Sequence, residues 1–215
     1  MAKKEKNNVI TIPFRLAFPE VFEARAGAPG AKEKFSVTML FPKDGSSLVP
    51  NATGSDLLAL RKLAVAAIKE KWGNDKAKWP SNLKALDLKT ALSPSGRDGW
   101  PFRDGDNVTW TGFEGMVSVK AGSMFQPGLV DAKKKEILTE SGIWGGLICR
   151  AEVNCWAYDT QGNQGVSFGL ENLQVLKDDG VSFSGRSNAS EAFDAFDDGS
   201  GEDGATTEDA NDDFA

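Results

Sequence analysis

The chain has 215 residues, enough for one well-cored domain with an appendage, and holds 25 Lys and Arg, 31 Asp and Glu, two Cys and no His. Without histidine, a histidine-based triad or metal cage is excluded, and two cysteines alone do not complete a four-ligand zinc site. No apolar run approaches the roughly 20 residues that span a bilayer and nothing resembles a signal peptide, so the expectation is an intracellular protein with no membrane partner.

The formal charge of −6 hides a segregation. All 25 basic residues lie between Lys3 and Arg186, while ten of the 31 acids lie from Glu191 onward. The body therefore carries +4 and the tail −10, a mildly basic domain tied to a strongly acidic end.

The first element, Asn8 to Phe18, is rich in β-branched and aromatic residues and predicts a strand, with Pro13 at an edge or bulge and Pro19 as its end. Ala24 to Ala31 (ARAGAPGA) has the Gly and Pro content of a mobile loop. Lys32 to Phe41 alternates, with Phe35, Val37, Met39 and Phe41 on one face, and Pro42-Lys43-Asp44-Gly45 closes it as a turn. A helix follows, with Ser55 as N-cap, Asp56 in the first turn and Gly73 as its stop; Leu57, Leu60, Ala64 and Ile68 recur at helical spacing. Arg61, Lys62, Lys69 and Lys71 form either a solvated face or a DNA-contacting one.

Lys76 to Pro101 reads as irregular, and Trp79 and Trp100 each precede a proline, which disfavours helix there. Their rings suit plugs over the core edge better than platforms for bases. Asp-Gly within Phe102 to Trp110 predicts a tight hairpin. Gly115 to Ala121 is a short strand, and Pro127 to Ser141, with Lys133-Lys134-Lys135, reads as a basic loop.

Ile143 to Leu176 carries the strongest pattern, two strands joined by a turn. Leu147, Cys149, Ala151, Val153, Cys155 and Ala157 face one way, while Arg150, Glu152, Asn154, Trp156 and Tyr158 face the other. Six residues of strand span about 20 Å, too far for Cys149 and Cys155 to form a disulfide, so both are expected in the core. A sheet face bearing rings beside cations suits unpaired nucleic acid, because bases stack on rings and cations track phosphates. Ser182 to Ser190 reads as a flexible linker, and the remainder is too poor in apolar residues to order itself.

No Walker-type or dinucleotide-binding glycine motif is present. Asp104, Asp106 and Glu114 are the best metal-like cluster, but an Asp- and Gly-rich turn explains them more simply. The chain is therefore expected to be no enzyme and to need no cofactor.

The ordered pieces FPKD at Phe41–Asp44, WGG-x5-E-x3-WAYD from Trp144 and GVSFGLENLQ ending at Gln174, followed by an acidic tail with a near-terminal Phe214, resemble one family. It is the oligonucleotide-binding (OB) fold single-stranded DNA-binding proteins that tailed bacteriophages encode. The resemblance implies a mainly β fold, an OB barrel with one clear helix, over residues 1–180, and a flexible linker and disordered acidic tail over 181–215. It also implies sequence-independent binding of single strands in the cytoplasm of an infected bacterium, in the service of phage DNA replication and recombination. Arg150, Asn154, Trp156, Tyr158, Lys120, Lys133 and Lys134 are the candidate DNA contacts. Asp209, Asp212, Asp213 and Phe214 are the candidates for competing with DNA and recruiting a polymerase, helicase or primase. Weaker binding to duplex DNA or RNA, and homo-oligomerisation, stay open. One departure stands out: the helix follows the second strand, where a simple OB barrel places it after the third. The rival reading is a protein-interaction or virion-structural module that binds no DNA.

Overall fold

The computed structural model describes residues 7–94, 98–160 and 162–183. Its elements in order are β1 (Val9–Ile10), β2 (Phe14–Ala26), β3 (Glu33–Pro42), α1 (Leu57–Trp72), α2 (Ser81–Lys84), β4 (Phe102–Asp104), β5 (Met116–Ser123), β6 (Gly128–Val130), β7 (Ile148–Thr160) and β8 (Asn163–Lys177). Five of them close a ring: β2 pairs with β3, β3 with β5, β5 with β8, β8 with β7, and β7 returns to β2. Every seam is antiparallel except β5–β8. This is the five-stranded Greek-key barrel of the OB fold. Closure is uneven, since β2–β7 and β5–β8 share two paired positions each while β7 and β8 pair along nearly their whole lengths.

Alternation explains the core. Phe14, Leu16, Val37, Met39, Phe41, Val119, Cys149, Ala151, Val153 and Phe168 all point inward and are almost fully buried. Cys155 is half-buried at the inner face of the same strand. Burial pushes both thiols up, Cys155 to about 12, so neither is a thiolate near neutral pH. Among the described residues, no helix is long and apolar enough to cross a membrane.

The displaced helix is real. Residues 43–115 form one long excursion between the second and third barrel strands, β3 and β5, and α1 turns Leu60, Ala64 and Ile68 onto β7 and β8. Its N-cap is Asp56, whose carboxylate accepts from the Ala59 N–H at 2.7 Å, because Ser55 is occupied in a bridge to Thr11. Trp79 and Trp100 are plugs, 8% and 1% exposed, with indole N–H groups donated to the Gly73 and Ala91 carbonyls.

Several expected loops are ordered. Pro19 does not end the first long strand. It sits where two residues of β2, Phe18 and Pro19, between the paired Ala17 and Glu20, face the single Val37 of β3, a bulge in which a missing N–H costs no ladder bond. β2 then runs on through Ala24–Ala26 to pair with Glu33 and Lys34. The Asp-Gly pair makes no tight hairpin. Asp104 instead caps a 3₁₀ turn over Gly105–Asn107, and β4 pairs with the distant β5. The basic loop contains β6, which buries Leu129 against β8. Past β8, the chain forms a packed strap up to the first residues of the expected linker, the rest of which lies outside the described residues. Asp179 ion-pairs with Arg15 at 2.8 Å, and the Phe183 N–H donates to the Gly145 carbonyl at 3.1 Å. Phe183 stays because its ring completes a small apolar cluster with Ala17, Leu40 and Phe113 on the barrel's outer face.

Candidate nucleic-acid interface

Beyond Val153, β7 pairs only with β8, so Asn154–Thr160 and Asn163–Ser167 form a two-stranded arm that extends the barrel past the β5–β8 seam. The arm rests on the excursion, where the Val166 N–H donates to the Gly99 carbonyl at 2.9 Å. Trp156 and Tyr158 lie on its outer face, in line with Asn154, because Cys155 faces the core side between them. Trp156 is 43% exposed and lies over Gly169, where a Cβ would come within 2.8 Å of its Cζ3. Tyr158 pairs with Gly165, where a Cβ would stand 2.6 Å from the Tyr158 hydroxyl and equally close to the Gly99 backbone of the excursion. Gly169 thus seats the Trp156 ring, and Gly165 admits both the Tyr158 hydroxyl and the Gly99 backbone, close approaches that only glycine permits. Burial, and then the charge of Asp98, push the Tyr158 phenol up, so it remains a neutral hydrogen-bond donor near neutral pH.

Lys120 joins this face. It pairs with Thr38, while its neighbour Ala121 is buried opposite Phe168, so the exposed lysine stands outward beside the Ser167–Trp156 register. Asn154, Gly169, Gly122 and Ser36 run as one row across four strands, and the two glycines leave its middle low. Asn154 is engaged by Glu171 and Ser36 by Glu20, so the row is held by its own hydrogen bonds.

Arg150 lies at the far end of β7, six residues from Trp156, or about 20 Å along the strand. Its Nε donates to Gln174 at 2.8 Å, and the Gln174 amide donates to the Asp131 carbonyl at 2.9 Å. Asp131 in turn accepts from the backbone of Lys133 and Lys135, which shapes the turn carrying exposed Lys133 and Lys134. The seven body candidates therefore fall into two groups: Asn154, Trp156, Tyr158 and Lys120 at the arm, and Arg150, Lys133 and Lys134 at the opposite end. Asp209, Asp212, Asp213 and Phe214 lie outside the described residues.

Two alternatives from the sequence are resolved by contacts. Arg61 is buried under the excursion, donating to the Ala91 carbonyl and stacking 4.6 Å from the Phe102 ring, so α1 does not present it to solvent. Asp104 and Asp106 are both taken by the Lys43 ammonium, whose hydrogen bond is the chief cause holding the Asp106 carboxyl below its ordinary value. Lys43 of the FPKD stretch thus ties its turn to the next one.

Residues that sequence reasoning missed lie further along the same face. Phe18, at the β2 bulge, is 50% exposed, and Trp110 and Trp144 are 47% and 39% exposed. Arg103 pairs with Ser118, two positions from Lys120, and stacks 5.2 Å from the Trp110 ring. Only Trp144 had a textual cue, its place in the WGG motif; nothing in the sequence marks Phe18 or Trp110, because a bulge and a long excursion bring them together.

An OB barrel with rings and cations on its outer face belongs to the class of oligonucleotide- and oligosaccharide-binding barrels. Residues 7–206 match the family model described as Enterobacter phage Enc34, ssDNA-binding protein. The chain belongs to that family of phage single-stranded DNA-binding proteins. It is 28% identical over 194 residues to protein p50 of Acyrthosiphon pisum secondary endosymbiont phage 1, covering 89% of this chain and 92% of that protein. Among solved structures, the single-stranded DNA-binding protein of bacteriophage Enc34 in complex with ssDNA is similar with a TM-score of 0.58 at 21% identity, over 83% of this chain and 94% of that one. A second structure of the bacteriophage Enc34 single-stranded DNA-binding protein is similar with a TM-score of 0.57 at 22% identity, over 90% of this chain and 97% of that one.

Proposed function

We propose that this chain binds single-stranded DNA without sequence preference, coating and protecting it during phage DNA replication and recombination in the cytoplasm of the infected cell. The reading includes no catalysis and no cofactor. The observation that carries it is the arm of β7 and β8, where Trp156, seated on Gly169, and Tyr158 stand with Asn154 and Lys120 on the outer face of an OB barrel. Rings at that spacing offer stacking to successive bases, and lysine and arginine meet the phosphates between them. Arg150, Lys133 and Lys134 extend the cationic track at the other end of β7.

A fluorescence titration tests this. Poly(dT) is expected to quench tryptophan emission, and salt to reverse it with a log–log slope near −0.7 per phosphate neutralised. Duplex DNA and RNA in the same titration are expected to bind more weakly. No quenching and no retained oligonucleotide at low salt would leave the interaction-module reading; metal-dependent loss of the DNA would indicate an enzyme.

The domain of residues 1–180 and the segment 181–215 act against each other in this proposal. Ten acids from Glu191 onward compete with phosphates for the groove, and Phe214 with Asp209, Asp212 and Asp213 docks on a basic pocket of a polymerase, helicase or primase once DNA frees them. About 20 residues of flexible chain span roughly 25 Å, enough to return to a small domain, and tethering sets a millimolar effective concentration. Deleting Glu191–Ala215 is expected to tighten binding of oligothymidylate and to abolish binding of the replication partner. Equal or weaker DNA affinity after deletion would remove the competition.

A further inference from the structure

The Phe18, Trp110 and Trp144 cleft has walls of a different origin from the arm. Phe18 is placed by the bulge, at φ 46°, a left-handed conformation that a bulky residue adopts at a cost and that tends to recur at binding sites. Its ring meets Trp110 edge-on at 5.1 Å, and Phe113 closes the floor 5.1 Å from Trp110. Thr109, Thr111 and Gly145 complete a cleft of about 430 Å³, within the roughly 300–1,000 Å³ range of small-ligand sites. One aromatic group already occupies part of it. The Phe183 ring lies against Gly112, where a Cβ would come within 2.1 Å of it.

Arg103 stands beside the cleft, outside its lining, stacked on the Trp110 ring. The Arg103 Nε is buried and, among the described residues, makes no hydrogen bond. Cleft and arm are linked over the outer face by strand register. Ala17, next to Phe18, pairs with Thr38, Thr38 with Lys120, and Lys120 stands beside the Ser167–Trp156 pair. Followed over the outer face by way of β3, β5 and β8, four strand-to-strand steps lead from β2 to Trp156, a surface path of about 19 Å at the spacing of a sheet. Lys120 lies between them, with Arg103 two register positions away.

We infer that this cleft is a second base-stacking platform for the same strand of DNA, with Trp110, Phe18 and Trp144 receiving bases and Arg103 facing a phosphate, so that the bound strand crosses the barrel from arm to cleft by way of Lys120. The inference rests on the single-strand reading above and extends it. A path of that length fits the 4–16 nucleotides bound per OB barrel.

The test uses the full chain and an oligothymidylate of about 12 nucleotides, within that range. Trp110→Ala and Trp144→Ala are each expected to weaken binding about 5- to 100-fold, and Trp110→Phe to recover most of the loss. Oligonucleotides carrying 5-iodouracil are expected to cross-link under ultraviolet light to the peptides bearing Trp110 and Trp156 alike. Thermal melts select the variants that are folded, and Trp144, on the rim, serves if Trp110→Ala is not. If folded variants bind within about twofold of the parent and cross-links appear only at Trp156, the second platform is overturned while the arm survives. If the parent itself neither binds nor cross-links, the single-strand reading fails as well. If DNA affinity is unchanged but Trp110→Ala loses binding of a peptide with the sequence of residues 191–215, the cleft is a peptide dock and the inference falls.

Discussion

Trp156→Ala is expected to weaken binding of oligothymidylate by about 1–3 kcal/mol, a loss of roughly 5- to 150-fold, with Tyr158→Ala somewhat less affected. The indole is 43% exposed and contacts the backbone of Gly169, so its removal uncovers a strand and opens no cavity in the core. Folding stability is expected to fall by less than about 1 kcal/mol, as for other exposed sites. The salt dependence separates stacking from charge. Trp156→Ala shifts the whole titration and keeps its slope, whereas Lys120→Ala flattens the slope by about 0.7, one phosphate contact on a single strand. Trp156→Phe retains a ring and is expected to retain most of the affinity. Unchanged binding by folded Trp156→Ala and Tyr158→Ala would take the bases off the arm.

Trp100→Ala is expected to destabilise the protein by about 3–5 kcal/mol, the range for deleting a buried aromatic ring. Trp100 is 1% exposed, lies 5.1 Å from Phe102, and gives its indole N–H to the Ala91 carbonyl at 2.9 Å. That carbonyl also accepts from Arg61, and Arg61 stacks on Phe102, so one deletion loosens the buttress that joins the 43–115 excursion to the barrel. For a chain of this size the melting temperature should fall by roughly 6–20 °C. Trp100→Phe removes the hydrogen bond and keeps most of the packing, with an expected cost of about 1–2 kcal/mol and unaltered DNA affinity. A folded Trp100→Phe that loses DNA binding would instead make this tryptophan a platform for bases.

These two tryptophans show how far pattern reading reaches. Trp156 lies in a strand whose inner partners, Cys149, Ala151 and Val153, are small and apolar, so alternation assigns it to the outer face. Trp100 has no such neighbours. Its proline-bound, irregular context favours a plug over a platform without a local pattern to fix it, and burial beneath Arg61 and Phe102 makes it a plug. Arg61 carries the same lesson in reverse: a basic residue on a helix reads as surface, yet here it is 7% exposed, because the excursion folds over that side of α1.

By itself the sequence determined the long β7–β8 hairpin, the inward rank of small apolar residues, the helix with its Gly73 stop, and the separation of a basic body from an acidic end. Each of these depends on neighbours within a few positions, through side-chain alternation, helical spacing or local charge. Tertiary structure alone decided that Pro19 lies within a strand, that the helix-bearing excursion inserts between the second and third barrel strands, that Phe183 straps back onto the barrel, and that Phe18, Trp110 and Trp144 share a cleft. Those outcomes hang on pairings and contacts between residues tens of positions apart. Such contacts are chosen by how the closed barrel fills its interior and which surfaces remain to be covered, and no local window of the chain encodes that.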